Sequence, residues 1–171
     1  MINYPRVVLI INCFNSANYL KKTINNLLLQ SYKNVTLLLV DNMSTDKTIE
    51  IMKRFVRSSN NIYILPLHKH LSLVKARKKA LSFIQENLEF DYFAFCDSDD
   101  LWDKQWIEKL INLRGDYDCL FCNGFEFDND ISNINSLRKV TCCLSDKKYD
   151  VFSSPLYLQS VIFSKKLLNE L

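Results

Sequence analysis

The most informative segment of the chain is Tyr92-Phe93-Ala94-Phe95-Cys96-Asp97-Ser98-Asp99-Asp100, in which an apolar run passes directly into an acidic one. The apolar part favours a strand that is buried on both faces. The three carboxylates that follow repel one another, so a cation or a bound ligand is needed to offset their charge. Oxygen ligands favour Mg²⁺ or Mn²⁺, which leave coordination positions for substrate phosphates. The segment therefore predicts a site for metal and phosphate at the end of a buried strand.

Similar apolar runs precede this segment and alternate with segments of helical periodicity. Continuous apolar runs, in which polar residues do not alternate with apolar ones, predict buried strands at residues 7–11, 36–40, 62–65 and 92–96. Apolar residues at helical spacing predict helices that begin after Ser16 as a cap, at residues 44–46 and at about Ser72. This alternating order indicates a parallel sheet that is covered by helices on both faces.

The remainder of the chain adds a helix, a strand and a hairpin to this pattern. The helix is predicted near residues 104–113 and the strand at residues 119–122. Residues 125–128 and 137–141 are predicted to pair across a turn-rich segment. The predicted fold class is α/β, with a mostly parallel, Rossmann-like sheet flanked by helices and a C-terminal β-hairpin.

Polar side chains follow three of the predicted strands. They are found at residues 12–15, at Asp41-Asn42 and at residues 97–100. Because ligands of parallel sheets bind beyond the carboxyl ends of the strands, we expect these side chains to converge on one crevice.

Length and composition narrow the class of protein. A chain of 171 residues, of which 48% are hydrophobic, is expected to form a single globular domain over residues 1–171. A net charge of +3 is too small to indicate nucleic-acid binding. No signal peptide or membrane span is recognisable, and with free thiols this favours the cytoplasm.

The six cysteines leave one alternative open. Cys119 and Cys122 have the spacing of half a zinc site, and Cys142-Cys143 is a conceivable second half. Adjacent cysteines rarely supply two ligands to one ion, however, and residues 119–122 are predicted to form a buried strand. We therefore prefer the interpretation of structural core cysteines over a zinc site.

With these residues in view, the chain resembles the family 2 glycosyltransferases of GT-A fold. Residues 10–15 are similar to the family's opening strand and its aromatic-Asn tail, and residues 73–77 to its Ala-Arg-Asn helix start. Val40-Asp41-Asn42-Met43-Ser44-Thr45-Asp46-Lys47-Thr48 resembles V-D-D-G-S-T-D-x-T, although Asn42 and Met43 depart from it. Residues 91–102 resemble the strand and D-x-D-D-x-W signature. The four segments cover about the first 105 residues in the order and spacing of the family.

This resemblance implies a nucleotide-sugar site with a divalent metal ion. Asp41 and Asn42 would meet the base, expected to be uracil, and Asn12 would lie near the base or ribose. Asp97 would bond the ribose, and Asp99 together with Asp97 would ligate Mn²⁺ or Mg²⁺ between the two phosphates. The residues implied in binding the nucleotide sugar are Asn12, Asn15, Asp41, Asn42, Arg77, Asp97 and Asp100.

The function implied is metal-dependent transfer of a sugar from a nucleoside diphosphate, expected to be UDP, to a hydroxyl acceptor, with inversion. The acceptor would be a glycan or a lipid-linked molecule of surface polysaccharide or glycolipid synthesis, reached by peripheral contact with the inner face of the membrane. Residues 1–105 would form the nucleotide-sugar half and residues 106–171 part of the acceptor side.

The general base is not identified, and none of Glu126, Asp128 and Asp130 is assigned to it. Residues 155–163 resemble the segment that approaches the acceptor, but the chain stops at Leu171, as expected of a C-terminally truncated member.

Two other functions are weighed against transfer. One is a truncated domain that binds the nucleotide sugar without turnover. The other is a sugar nucleotidyltransferase, which needs a Gly-rich loop bearing Lys or Arg after the first strand. Residues 12–18 contain none of these three residue types, so this function ranks low. His68 and His70 are expected in an exposed loop rather than in the crevice.

Overall fold

The computed structural model describes residues 4–122, 124–126, 138–140 and 161–169. The elements of its first part are β1 (Val7–Cys13), α1 (Leu20–Leu28), β2 (Val35–Asp41), α2 (Thr48–Ser58), β3 (Ile62–Pro66), α3 (Leu73–Asn87), β4 (Tyr92–Asp97) and α4 (Trp106–Asn112). They are followed by β5 (Cys119–Phe121), β6 (Gly124–Glu126), β7 (Arg138–Val140), β8 (Val161–Ser164) and α5 (Lys165–Asn169). The predicted alternation of strands and helices is confirmed.

Six of the strands form one sheet in the order β3-β2-β1-β4-β8-β5. β1 pairs in parallel with β2 and with β4, and β2 pairs in parallel with β3. β8 runs antiparallel to both β4 and β5, and β6 and β7 form a separate antiparallel hairpin. The fold class predicted from the sequence, a mostly parallel sheet with a C-terminal hairpin, is confirmed.

The sheet is buried because its central strands are apolar on both faces. Val7, Leu9 and Ile11 of β1 pack in a core cluster with residues of α1, α2 and α4. Val8 and Ile10 pack in a second cluster, with residues of α3 and α5. A strand covered in this way has no solvent face, which explains why its sequence lacks the alternation of apolar and polar residues. Within the described ranges, no helix has the length and apolar character needed to cross a bilayer.

The start of α1 differs from the prediction. Its N-cap is Tyr19, which makes no capping side-chain bond, so Ser16 as the cap was wrong. The Ser16 carbonyl accepts the amide of Leu20 at 2.9 Å, whereas its hydroxyl lies 2.7 Å from the hydroxyl of Ser98. Ser16 therefore connects α1 to the acidic segment instead of closing the helix end.

Buried cysteines and tryptophans behave as packing residues. Cys13 and Cys96 are buried, and burial raises the pKa of the Cys119 thiol to about 11, which keeps it protonated. Cys142 and Cys143 lie outside the described residues. Trp102 precedes α4 rather than lying in it, but its ring packs 5.6 Å from that of Trp106, centroid to centroid.

Candidate functional site

The carboxyl ends of β1, β2 and β4 meet at one edge of the sheet. In the strand register Asn12 is paired with Asp97 on one side, and its neighbour Cys13 is paired with Asp41 on the other. The structure therefore brings together the three strand ends that the sequence analysis expected in one crevice. Neither side-chain amide atom of Asn12, although both are buried, has a hydrogen-bond partner among the described residues. Such groups are rare, and this one is suited to a ligand.

The acidic loop, residues 97–103, carries more negative charge than its surroundings balance. Arg77 of α3 donates from Nη2 to Oδ1 of Asp97 at 3.3 Å, and its guanidinium lies 4.9 Å from the centre of the Phe95 ring. Asp99 is exposed, whereas Asp100 is partly buried. Burial, and then the charges of Asp97 and Asp99, raise the pKa of Asp100 to about 6. The loop thus has the uncompensated carboxylates that a cation would stabilise.

Asp41 and Asn42, at the end of β2, are both buried but have different partners. Oδ1 of Asp41 accepts the backbone N–H of Ser44 at 3.3 Å. The Asn42 side chain donates from Nδ2 to the carbonyl of Leu71 at 2.8 Å, and its Oδ1 accepts the N–H of Leu71 at 2.9 Å. Asn42 therefore fastens the β2–α2 loop to the segment before α3, and its amide oxygen is already engaged.

Asn15 also connects two loops. It adopts a positive φ of 52°, and its Oδ1 accepts the N–H of Thr45 at 2.8 Å. Asp46, which the sequence analysis placed at a helix start, accepts the N–H of Thr48 at 2.9 Å and that of Ala17 at 3.0 Å. The loops after β1 and β2 are therefore held together by side-chain bonds to backbone.

His70 lies closer to the crevice than the sequence analysis expected. Its Nδ1 is 3.1 Å from the carbonyl oxygen of Asn42, and its ring lies 4.5 Å from that of Phe14, between centroids. Both rings are exposed, as is His68, which lies in the same loop between β3 and α3. Phe14 and His70 thus form an aromatic edge beside the ends of β1 and β2.

Two polar residues of α1, Thr23 and Asn26, and Gln30, which follows the helix by two residues, contact the backbone of the acidic loop and were missed by the sequence analysis. Thr23, Asn26 and Gln30 follow one another at spacings of three and four residues, next to the buried stripe that contains Leu20 and Ile24. That spacing on the inner side of an amphipathic helix was the available signal, because polar residues there need partners.

The acidic loop is chemically suited to Mg²⁺ or Mn²⁺. Its donors are carboxylate oxygens, and burial, followed by the charges of Asp97 and Asp99, raises the pKa of Asp100. Within the described residues no three His, Cys, Asp or Glu side chains are grouped so that they could hold a metal ion. One or two carboxylates completed by phosphate and water is the usual arrangement for Mg²⁺ at nucleotides.

The family of the chain follows from its match to the family model named Glycosyl transferase family 2, which covers residues 8–161. The chain belongs to glycosyl transferase family 2. It is 32% identical over 117 residues to TuaG of Bacillus subtilis (strain 168), a glycosyltransferase assigned to teichuronic acid biosynthesis. That match covers 68% of this chain and 45% of TuaG, so the chain spans about half the length of this relative.

Solved structures confirm the GT-A fold of this family 2 domain. Residues 1–349 of TarS from S. aureus superpose with a TM-score of 0.73 at 21% identity, over 96% of this chain and 48% of that one. A mannosyltransferase from Pyrobaculum calidifontis, solved with GDP-Man and Mn²⁺, superposes with a TM-score of 0.60 at 20% identity, over 68% and 34% of the two chains. At these identities the likeness concerns the fold alone.

The bonds of Asn42 predict that Asn42→Asp destabilises the domain at neutral pH. The carboxylate would face the carbonyl of Leu71, which now accepts a bond from Nδ2 at 2.8 Å, and it has no proton to donate. We expect a loss of about 1 to 3 kcal/mol in the free energy of unfolding at pH 7, measured by urea denaturation. Asn25→Asp, at an exposed position, is the control for charge. Equal stability of Asn42→Asp and wild type would contradict the assignment.

The raised pKa of Asp100 predicts a dependence of stability on pH. The folded chain favours protonated Asp100 up to about pH 6, whereas the ordinary pKa is 3.8, so the folded form binds more protons between these values. The free energy of unfolding therefore falls as pH rises through this window. In the presence of a chelator, we expect Asp100→Asn to raise the melting temperature above pH 6 and to flatten the profile below it. Parallel profiles of variant and wild type would show that Asp100 is not strained.

Proposed function

We propose that the domain binds a nucleoside-diphosphate sugar at the edge formed by β1, β2 and β4, and that the whole protein transfers the sugar to a hydroxyl acceptor. The observation that carries the proposal is the convergence of Asn12, Asp41 and the acidic loop in a member of family 2. Their hydrogen-bonding groups suit a base and ribose, and the carboxylates suit a metal with phosphates.

Of the two residues expected at the base, we propose Asp41 for the main contact. Asn42 uses both of its amide groups on Leu71, whereas Asp41 has a carboxylate with one oxygen toward Ser44. A carboxylate accepts a hydrogen bond from the ring N–H of uracil. Asn12, whose amide atoms have no hydrogen-bond partner among the described residues, would contact the base or ribose. Asn15 contributes through the shape of its loop, since Thr45 engages its oxygen.

The phosphate end of the site falls on the acidic loop. Asp99, with Asp97, would hold Mn²⁺ or Mg²⁺, which when bound neutralises negative charge that develops on the departing diphosphate. Arg77 holds the Asp97 carboxylate, which bonds the ribose in this proposal. Asp100, which is partly buried, would lie beside the sugar or order the loop.

UDP is the nucleotide that we propose. The same part of TarS has been solved with UDP-GlcNAc, with a TM-score of 0.57 at 23% identity over 67% of this chain and 33% of that one. The mannosyltransferase from Pyrobaculum calidifontis holds GDP-Man. A panel of nucleoside diphosphates decides between them. The proposed acceptor belongs to surface polysaccharide or glycolipid, which the assignment of TuaG supports. The same proposal includes inversion of configuration at the transferred sugar. It also places the protein in the cytoplasm, at the inner face of the membrane.

We propose residues 1–105 as the nucleotide-sugar half and residues 106–171 as part of the acceptor half. Asp128 and Asp130 lie outside the described residues, as do residues 155–160 of the segment expected to approach the acceptor.

The proposal predicts that Asp99→Asn abolishes metal-dependent binding of UDP. Isothermal titration of UDP, GDP and CDP is done with Mn²⁺ and with a chelator. We expect wild type to bind UDP more tightly with Mn²⁺, and the variant to show the same weak affinity in both conditions. The fold should persist, because Asp99 is exposed.

Asp103→Asn is the matched control, since Asp103 is an exposed acid of the same loop. It should retain the effect of Mn²⁺. Absence of binding of any diphosphate to wild type would sink the proposal, whereas tight binding without sugar transfer would identify a binding domain that does not turn over.

A further inference from the structure

Helix α1 and the residues directly after it present a row of uncharged polar side chains to the acidic loop. The row consists of Thr23, Asn26 and Gln30, and the first and last are 1% exposed. Polar groups this deeply buried lower stability unless they are bonded, so their partners indicate what the row does.

All of these partners are backbone atoms of residues 98–107. The Thr23 hydroxyl lies 2.8 Å from the carbonyl of Ser98 and 3.2 Å from that of Asp100. Asn26 donates to the carbonyl of Trp102 at 3.1 Å and accepts its N–H at 2.8 Å.

Gln30, two residues after the end of α1, continues the row. It donates to the carbonyl of Asp103 at 2.8 Å and accepts the N–H of Ile107 at 3.3 Å. The row thus contacts the loop on both sides of Asp99 and continues to the first turn of α4.

The chemistry of the row leaves the charge of the loop untouched. Amide and hydroxyl groups bond the backbone but contribute no formal charge, whereas a Lys or Arg in the same place would neutralise a carboxylate. The loop is therefore held in one path while its carboxylates keep the negative charge that attracts a cation.

We infer that Thr23, Asn26 and Gln30 are positioning residues, which hold the acidic loop so that Asp99 can bind a divalent cation. This inference rests on the proposed function, because it assigns the cation to the same loop. A purely structural row would tie α1 to the sheet and stabilise the fold, with no separate effect on the cation.

The experiment compares Thr23→Val, which keeps the shape but removes the hydroxyl, with Thr23→Ser, which restores it. Asn26→Ala is the second variant, and Asn25→Ala, at the adjacent exposed position, is its control. Binding of Mn²⁺ alone is measured by electron paramagnetic resonance, and UDP affinity is measured by titration with and without Mn²⁺. Circular dichroism monitors the fold.

We expect Thr23→Val and Asn26→Ala to weaken Mn²⁺ binding by roughly tenfold, about the effect of one lost hydrogen bond. UDP affinity in chelator should stay unchanged, and Thr23→Ser and Asn25→Ala should match wild type. Equal Mn²⁺ binding by wild type and both folded variants would overturn the inference, as would an equal loss of UDP affinity with and without Mn²⁺.

Failure of the proposed function gives a different result. If wild type binds Mn²⁺ but no nucleoside diphosphate, and the variants lose Mn²⁺ binding, the positioning role stands without the nucleotide. If wild type binds no Mn²⁺, the inference is wrong together with the metal assignment.

Discussion

Repulsion among Asp97, Asp99 and Asp100 is the constraint on which the arrangement around the sheet edge depends. Of the three, Asp97 pairs with Arg77, and burial together with the charges of Asp97 and Asp99 raises the pKa of Asp100 to about 6. The loop nevertheless follows directly from β4, whose residues 93–96 are buried between two layers of helices. Full burial of one large apolar side chain contributes about 1.5 to 3 kcal/mol, so a strand of this kind can anchor a strained loop.

Neutral side chains also hold the loops at the sheet edge in place. Asn26, Gln30 and Asn42 each donate one bond and accept one bond from backbone atoms of a distant segment. A side-chain amide can do both at every pH, whereas a carboxylate at neutral pH only accepts. This explains an Asn at position 42, where the resemblance leads one to expect an acid: its role is to join two loops, and the charge is kept at Asp41.

The strands and the location of the site could be predicted because they rest on local patterns. Residues 7–11 and 92–96 are apolar without alternation, and a parallel arrangement brings the residues after them to one edge. The place of β8 could not be predicted in this way. It is a strand of four residues, far along the chain, that lies between β4 and β5 in the sheet. Its local sequence pattern does not indicate which strands it will pair with.

The side-chain bonds to backbone escaped prediction for a related reason. The partner of Asn42 is Leu71, 29 positions later, and its place depends on where β3 ends and α3 begins. The sequence shows an amide but not the backbone it will meet, so Asn42 was interpreted as a ligand group. Thr23 and Gln30 were different, because their position beside the buried stripe of α1 already required polar partners. A polar residue on the inner side of a helix therefore indicates a backbone partner elsewhere in the chain, and this partner competes with any ligand for its hydrogen bonds.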